Sequence, residues 1–549
     1  MANYLLALGG TGAKILESFV HVSAAGVLDQ QTRIVLLDQD GDNGNGARTK
    51  TLIALYEKLN EALTTQSRGG GGVRYPFLTK LTPAATLPLI PEPDNKPSLL
   101  DICRRDPKFS GAGSIEPHIL DCLFSKDEQA KTLEYGFGGL PSLGSLVFAG
   151  QEYTDDWDGD PSHPQANTGS GAPDPRQSTA PLARDLQSLI DQIAQDADGG
   201  SRVRVFLVGS IYGGTGASAF PTVARLISRR LRGLPNVALG GVLCLPYFTF
   251  AKQPEEQKEH DPLVASSDRF VHQSIDTLPY YQRLLEQERG TFAALYLVGS
   301  KPLFPLNYFN SGGGGQANPP LLCELYAALF AQHFFSQQPE RELTQHETKI
   351  HFVGSGCNAQ GYPTVVEWSQ LPAVGNALRS TLGSLVRFCA AYHFHYFPQL
   401  TGGSGDSSRP NRLLAPNANV QSHGFFKRLL APLEPRCFDV LEKLDRYAVE
   451  LLLYWGRMER HSYVGGVDGF PGIDLVATQS FIEVSNQGEI RLRNQMAADQ
   501  MQTLLSGQVG RGDGGMNIIR TRLDEARPSE PRRPQPIDFV EKLYEACKV

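Results

Sequence analysis

Val203-Arg204-Val205-Phe206-Leu207-Val208 runs directly into Gly209-Ser210-Ile211-Tyr212-Gly213-Gly214-Thr215-Gly216-Ala217-Ser218. The first stretch reads as a buried strand and Pro221–Leu231 as a helix, so the glycines fill a strand-to-helix turn. Glycines there let the backbone close on an anion with no Cβ in the way, at the helix N-terminus where N–H groups point outward. Thr215 and Ser218 add hydroxyl donors. No lysine follows these glycines, so the turn is not a Walker loop. About 200 residues earlier, Leu8-Gly9-Gly10-Thr11-Gly12-Ala13 repeats the pattern between an apolar start and a helically spaced run from Lys14 to about Ala25. Two such turns in one chain imply that different phosphates of a single nucleotide are held from two sides.

Working outward, Arg33–Leu37 is a second strand, ending in Asp38-Gln39-Asp40-Gly41-Asp42-Asn43. Strand, glycine turn, helix and strand together open a parallel α/β sheet. Glu134–Ser145 is a third glycine-rich element, containing Gly138 and Gly139. Val237–Leu245, Ala293–Val298 and Lys349–Val353 read as further strands, Leu182–Ala197 as an amphipathic helix, and Asn318 to about Phe335 as a strongly apolar helix. We expect a nucleotide-binding α/β domain over 1–335 with insertions at about 45–130 and 151–180. A helix-rich C-terminal domain over 336–505 would follow, then a flexible linker and a short amphipathic segment over 506–549.

The chain has 549 residues, 41% of them hydrophobic and 20% charged, as in an ordinary globular protein. A net charge of −7 gives no general pull toward nucleic acid or an anionic membrane. The eight cysteines (103, 122, 244, 323, 357, 389, 437, 547) form no Cys-x-x-Cys pair and read as thiols of a reducing compartment. No basic leader and no run of about 20 apolar residues stands out, so a cytoplasmic location is expected.

Competing motif readings are weaker. As a dinucleotide fingerprint, the first turn places Ile15 where a third glycine belongs and leaves Gly209–Ser218 without a role. Asp38, Asp40, Asp42 and Asn43 imitate a calcium loop, but Asn43 and Thr49 stand where glycine and glutamate are required. His393 and His395 lack a third ligand at metal-binding spacing. Asp155, Asp156, Asp158 and Asp160 read as a solvated loop, and Arg511-Gly512-Asp513 as a chance adhesion motif.

In their order along residues 3–370, these elements resemble the tubulin/FtsZ superfamily, and its divergent prokaryotic tubulin-like members more than FtsZ itself. Gly9-Gly10-Thr11-Gly12-Ala13, Leu37–Asp40, Gly136–Gly144 and Gly213-Gly214-Thr215-Gly216-Ala217 are similar to its successive nucleotide loops. Phe248-Thr249-Phe250 is similar to its ribose-bordering segment, although Ala251 replaces the glutamate that follows there. The resemblance implies GTP or GDP with Mg2+, self-association with nucleotide between successive subunits, and filaments or stacked assemblies. It places Asp38 and Asp40 near the nucleotide, with Asn318 and Glu324 on the helix facing the base. Glu367, in Gly361–Trp368, would be the acid that a neighbouring subunit supplies for hydrolysis; its usual second acid is replaced by Thr364 or Gln370. Ile537–Val549 would be a partner-binding peptide, or else a helix docked on its own domain. The alternative functions are a nucleotide-dependent adaptor that does not polymerise and a dinucleotide-dependent oxidoreductase.

Overall fold

A computed structural model describes residues 1–27, 30–38, 40, 43–66, 76–87, 98–101, 116–133, 136–149, 181–231, 234, 236–251, 267–288, 291–301, 303–307, 316–337, 348–355, 365–372, 377–400, 435–462, 473–486, 488–506, 515–525 and 536–549. The expected insertion at 151–180, its acidic loop, Asp42, the glycine runs 69–72 and 312–315, the linker 402–406 and the 511–513 motif lie outside these residues.

One seven-stranded sheet organises the chain. Its order is β3-β2-β1-β4-β5-β7-β9, with β1 Ala2–Leu8, β2 Thr32–Leu37, β3 Leu81–Leu87, β4 Val203–Ser210, β5 Val237–Cys244, β7 Ala294–Ser300 and β9 Lys349–Ser355. All neighbours run parallel. The central strands β4 and β5 are buried along their whole length, as a sheet covered on both faces requires. A two-stranded parallel ribbon, β6 Phe248–Phe250 with β8 Phe304–Leu306, flanks the sheet. The chain runs outward one way through β1, β2 and β3 and the other way through β4, β5, β7 and β9. The crevice beyond the ends of β1 and β4 is therefore the point where the order reverses, the usual ligand position in such sheets. Helix α1 (Gly9–Ala24) starts directly from the end of β1, and α5 (Gly214–Arg230) follows β4 after the turn 211–213.

Two expectations need correction. Part of the segment assigned to an insertion belongs to the sheet: α2 (Gly44–Gln66) packs on α1, and β3 pairs with β2 as an edge strand. Pro83 within β3 is tolerated because an edge strand leaves one row of N–H groups without a ladder partner. The helix expected from Asn318 begins at Leu322 as α7 (Leu322–Ser336), because each residue before a proline is held extended. Asn318 consequently stands on an extended approach to the helix.

The later segment is helix-rich. A helical run over 377–400, including α8 (Ser384–Ala391), packs against α9 (Pro435–Ser462). Helix α9 reaches back to the first domain: Tyr454 donates to Ser18 Oγ at 2.8 Å, and Tyr447 Oη meets His21 Nδ1 at 3.0 Å. Within the expected linker, α10 (Met516–Glu525) is helical. The terminal helix α11 (Pro536–Cys547) buries Phe539, Val540, Leu543 and Cys547, so its apolar face is already spent on α8 and α10. That docking is the alternative expected for Ile537–Val549, a helix packed on its own domain. No helix among the described residues is long and apolar enough to cross a membrane.

The buried His21 gives the fold a pH signature. Burial pushes its pKa from 6.5 down to about 4, and His395 is likewise pushed to about 4. As pH falls below 6.5 the unfolded chain takes up these protons first, so stability drops through that window. Glu459 acts oppositely, because burial raises it to about 7 and stability falls as pH rises from 4.5 toward that value. Urea unfolding of wild type and His21→Phe near pH 7 and about pH 5 should show wild type losing roughly 2 kcal/mol more than the variant. Equal losses would mean His21 protonates within the native fold.

Candidate functional site

Three glycine turns meet at the β1/β4 crevice. After β1, Gly9 has φ +70°, a left-handed conformation, and a Cβ on it would stand 3.0 Å from Gly216 N and 3.1 Å from Thr215 Cβ. The first and second turns are thus in contact. After β4, Gly214 opens α5, and a Cβ there would lie 2.8 Å from Phe137 Cβ and 3.4 Å from Gly139 N. Gly138 (φ +58°) and Gly139 (φ +74°) bring the third turn onto the second.

One pocket results. Gly9, Gly10, Thr11, Gly138, Gly139, Gly213, Gly214, Thr215 and Gly216 line it, with Asp38, Asp40 and Asn318. Gly12 and Ala13 do not. Gly12 instead allows α1 to cross β1 and β4, since a Cβ would lie 2.8 Å from Ala7 C and 3.0 Å from Val208 O. Ala217 and Ser218 also lie behind the lining, and Ser218 Oγ donates to Gly214 O at 2.7 Å within its own helix. Thr215 Oγ1 donates to Asp38 Oδ1 at 3.2 Å, tying the end of β2 to the start of α5.

Glu324 departs from its expected role. It is fully buried and does not line the pocket. Its carboxylate pairs with Lys14, accepts the Tyr247 hydroxyl at 2.5 Å, and accepts the Leu321 N–H at the start of α7. A purine edge has no access to it. Glu367 is exposed and lies outside the pocket, beside the short turn Trp368–Gln370 that Trp368 anchors by donating to Leu475 O at 2.9 Å.

Sequence reading missed Lys14, which lines the pocket at 2% exposure. The available signal was its spacing: residues three and four positions after Thr11 and Gly10 share their helix face. Asn43, Asn45 and Gln316 were missed as well. Asn45 Oδ1 accepts the Asn318 N–H at 2.8 Å, and Gln316 Nε2 donates to Asn318 Oδ1 at 2.8 Å. Arg48 fixes this wall, donating to both Glu17 oxygens at 2.9 and 2.6 Å and to Asn318 O at 3.1 Å.

Lys14 is paired with Glu324, and Asp38 and Asp40 add two acidic side chains to the wall. Attraction for an anion therefore comes from backbone N–H groups and helix ends. The enclosed part is about 140 Å³, below the roughly 300 Å³ of sites that enclose a whole ligand, so it has room for only one end of a larger molecule. A second hollow of about 660 Å³ lies between α6 (Ser267–Gln287) and the sheet, lined by Leu243, Leu295, Leu297, Ile275 and Leu278. Its walls are mainly aliphatic, with Gln282, Glu286 and Thr348 among them and no glycine turn.

No protein-family model, curated protein or solved structure matches the chain.

Proposed function

We propose that the protein binds a guanine nucleotide, GTP or GDP, in the β1/β4 crevice and self-associates with that nucleotide between successive subunits. The observation that carries this reading is the convergence of Thr11 and Thr215, from turns far apart in the chain, on one pocket. Three turns of N–H donors suit a diphosphate or triphosphate tail better than a single phosphate. Gly10, Thr11, Gly139 and Gly213 are half-buried and form the rim, which leaves the tail facing outward. A second copy seated there would make a heterologous contact, and such contacts propagate into filaments or rings. The tubulin-like identity of the fold belongs to this proposal.

Mg2+ fits the donor set. It typically takes one or two protein carboxylates together with phosphate oxygens, and Asp38 and Asp40 supply the carboxylates beside the phosphate turns. The ion would provide the positive charge that Lys14, already paired, does not. Removing divalent ions with EDTA, or making Asp38→Asn, should weaken GTP binding by at least about tenfold. Unchanged affinity would remove the metal from the site.

The nucleotide-dependent adaptor is the second reading, favoured by the missing second acid near Glu367, where Thr364 or Gln370 stands. Two measurements separate the readings. Chromatography of nucleotide released from purified protein tests binding; recovery of a nicotinamide or flavin dinucleotide would favour the oxidoreductase instead. Sedimentation with GTP tests assembly, and protein that binds GTP yet stays in the supernatant is the adaptor.

A further inference from the structure

The two edges of the sheet differ. Pro83 takes a donor out of the outer row of β3, whereas β9 contains no proline and has no strand on its outer side among the described residues. The Lys349 N–H donates to Ala293 O at 3.2 Å, toward β7. Successive residues of a strand turn their N–H and C=O groups to opposite sides, so Ile350, Phe352 and Gly354 turn theirs to the open edge. Side chains alternate between the faces in the same rhythm. On one face His351 stacks on Tyr296 at 4.6 Å between centroids. On the other, Thr348 and Ile350 line the hollow of about 660 Å³ beside α6, and Phe352 shares their face.

That second face stands open to water. Ile350 is 58% and Phe352 70% exposed, and along one stripe of α6 Val271, Ile275 and Leu278 are 43%, 58% and 36% exposed. At about 200 Å² for a whole large side chain, these residues leave roughly 500 Å² of apolar surface in water. A standard interface takes about 800 Å² from each partner, somewhat over half of it apolar, so the patch supplies what a stable dimer needs.

We propose that the β9 edge pairs with the same edge of a second copy, antiparallel about Phe352, and joins two sheets into one. The strand suits itself in that register. Phe352 meets its own counterpart, and the bulky Ile350 meets Gly354, which leaves room for it. Lys349 lands against the uncharged Ser355, so no like charges face each other. The outward residues of each copy then exchange N–H and C=O bonds with those of the other. Because Pro83 blunts the far edge, the sheet does not go on growing there; the contact is isologous and closes at two copies. It uses neither the glycine turns nor a nucleotide, and so stands apart from the function proposed above.

Sedimentation velocity of the full chain, in EDTA and without added nucleotide, reads this contact directly. Wild type should run as a dimer at micromolar concentration. Phe352→Lys sets two ammonium groups opposite each other and should raise the dissociation constant at least about a hundredfold. Its circular dichroism should not change, because the ring it replaces is mostly in water. Phe352→Asp should act alike. An equimolar mixture of the two variants should form the dimer again, since residue 352 meets only its own counterpart. A monomeric wild type overturns the proposal and leaves the patch to a different protein. A dimer that survives Phe352→Lys places the contact elsewhere, and variants that stay monomeric when mixed exclude this register; either result overturns it.

Discussion

Gly214→Val protein should fold and lose nucleotide binding by at least about a hundredfold. The added Cβ would sit 2.8 Å from Phe137 Cβ and 3.4 Å from Gly139 N, and valine's two methyls extend further into the same space. The third turn must then move off the second, and its N–H donors leave the positions where they converge with those of Thr11 and Thr215. Cradle geometry is intolerant of such shifts, since displacements near an ångström cost on the order of a hundredfold. Displacing the buried Phe137 should cost about 1–3 kcal/mol of stability, enough to lower the thermal midpoint without unfolding the protein. Gly46→Ala is the matched control. Gly46 does not line the pocket, and its Cβ would meet only a Leu36 side-chain atom at 4.0 Å, ordinary contact. Titration of both variants with a fluorescent guanosine diphosphate, beside their thermal midpoints, decides the matter. Wild-type affinity in Gly214→Val would show that the second and third turns do not hold the ligand together.

What the sequence made legible was local. Apolar Leu5–Leu8 and Val205–Val208 end in glycine turns, and each turn sits at a strand-to-helix junction because an N–H cradle needs those residue types in succession. The parallel sheet followed from these units. What stayed hidden depended on distant partners. Leu52, Tyr56, Leu59 and Leu63 give α2 a buried stripe that marks a helix, yet nothing near Leu81–Leu87 announces that Pro83 lies on a strand paired with β2. Helical phase set Glu324 toward α1, where the ligand was expected; it could not reveal that Lys14 already held that carboxylate. The same blindness hid Lys14, whose significance comes from a partner some 300 residues away. Glu367 sits beside a turn that Trp368 and Val366 tie to Leu475 and Ile473, a tertiary anchorage that no local pattern announces.

Glu324→Leu should be the most destabilising single change at the site, by about 3–5 kcal/mol. Leucine matches the apolar surroundings in kind, so the loss is not one of packing. It arises because the Lys14 ammonium, 2% exposed, would be left without a counter-charge in a site closed to water. The Leu321 N–H at the head of α7 and the Tyr247 hydroxyl would lose their acceptor in the same step. Lys14→Met should cost a comparable amount, since it strands the carboxylate instead. Replacing both, as Lys14→Met with Glu324→Leu, removes the two charges together and should recover most of the loss, because an apolar pair avoids the desolvation that the ion pair only offsets. The four urea midpoints form a double-mutant cycle, and the coupling should reach at least about 2 kcal/mol. A coupling near zero would mean that water reaches Lys14 and Glu324 separately, and α1 would then be joined to α7 by packing alone. A large coupling makes the pair a rigid buried tie between α1 and α7, directly beneath the glycine turn that opens α1.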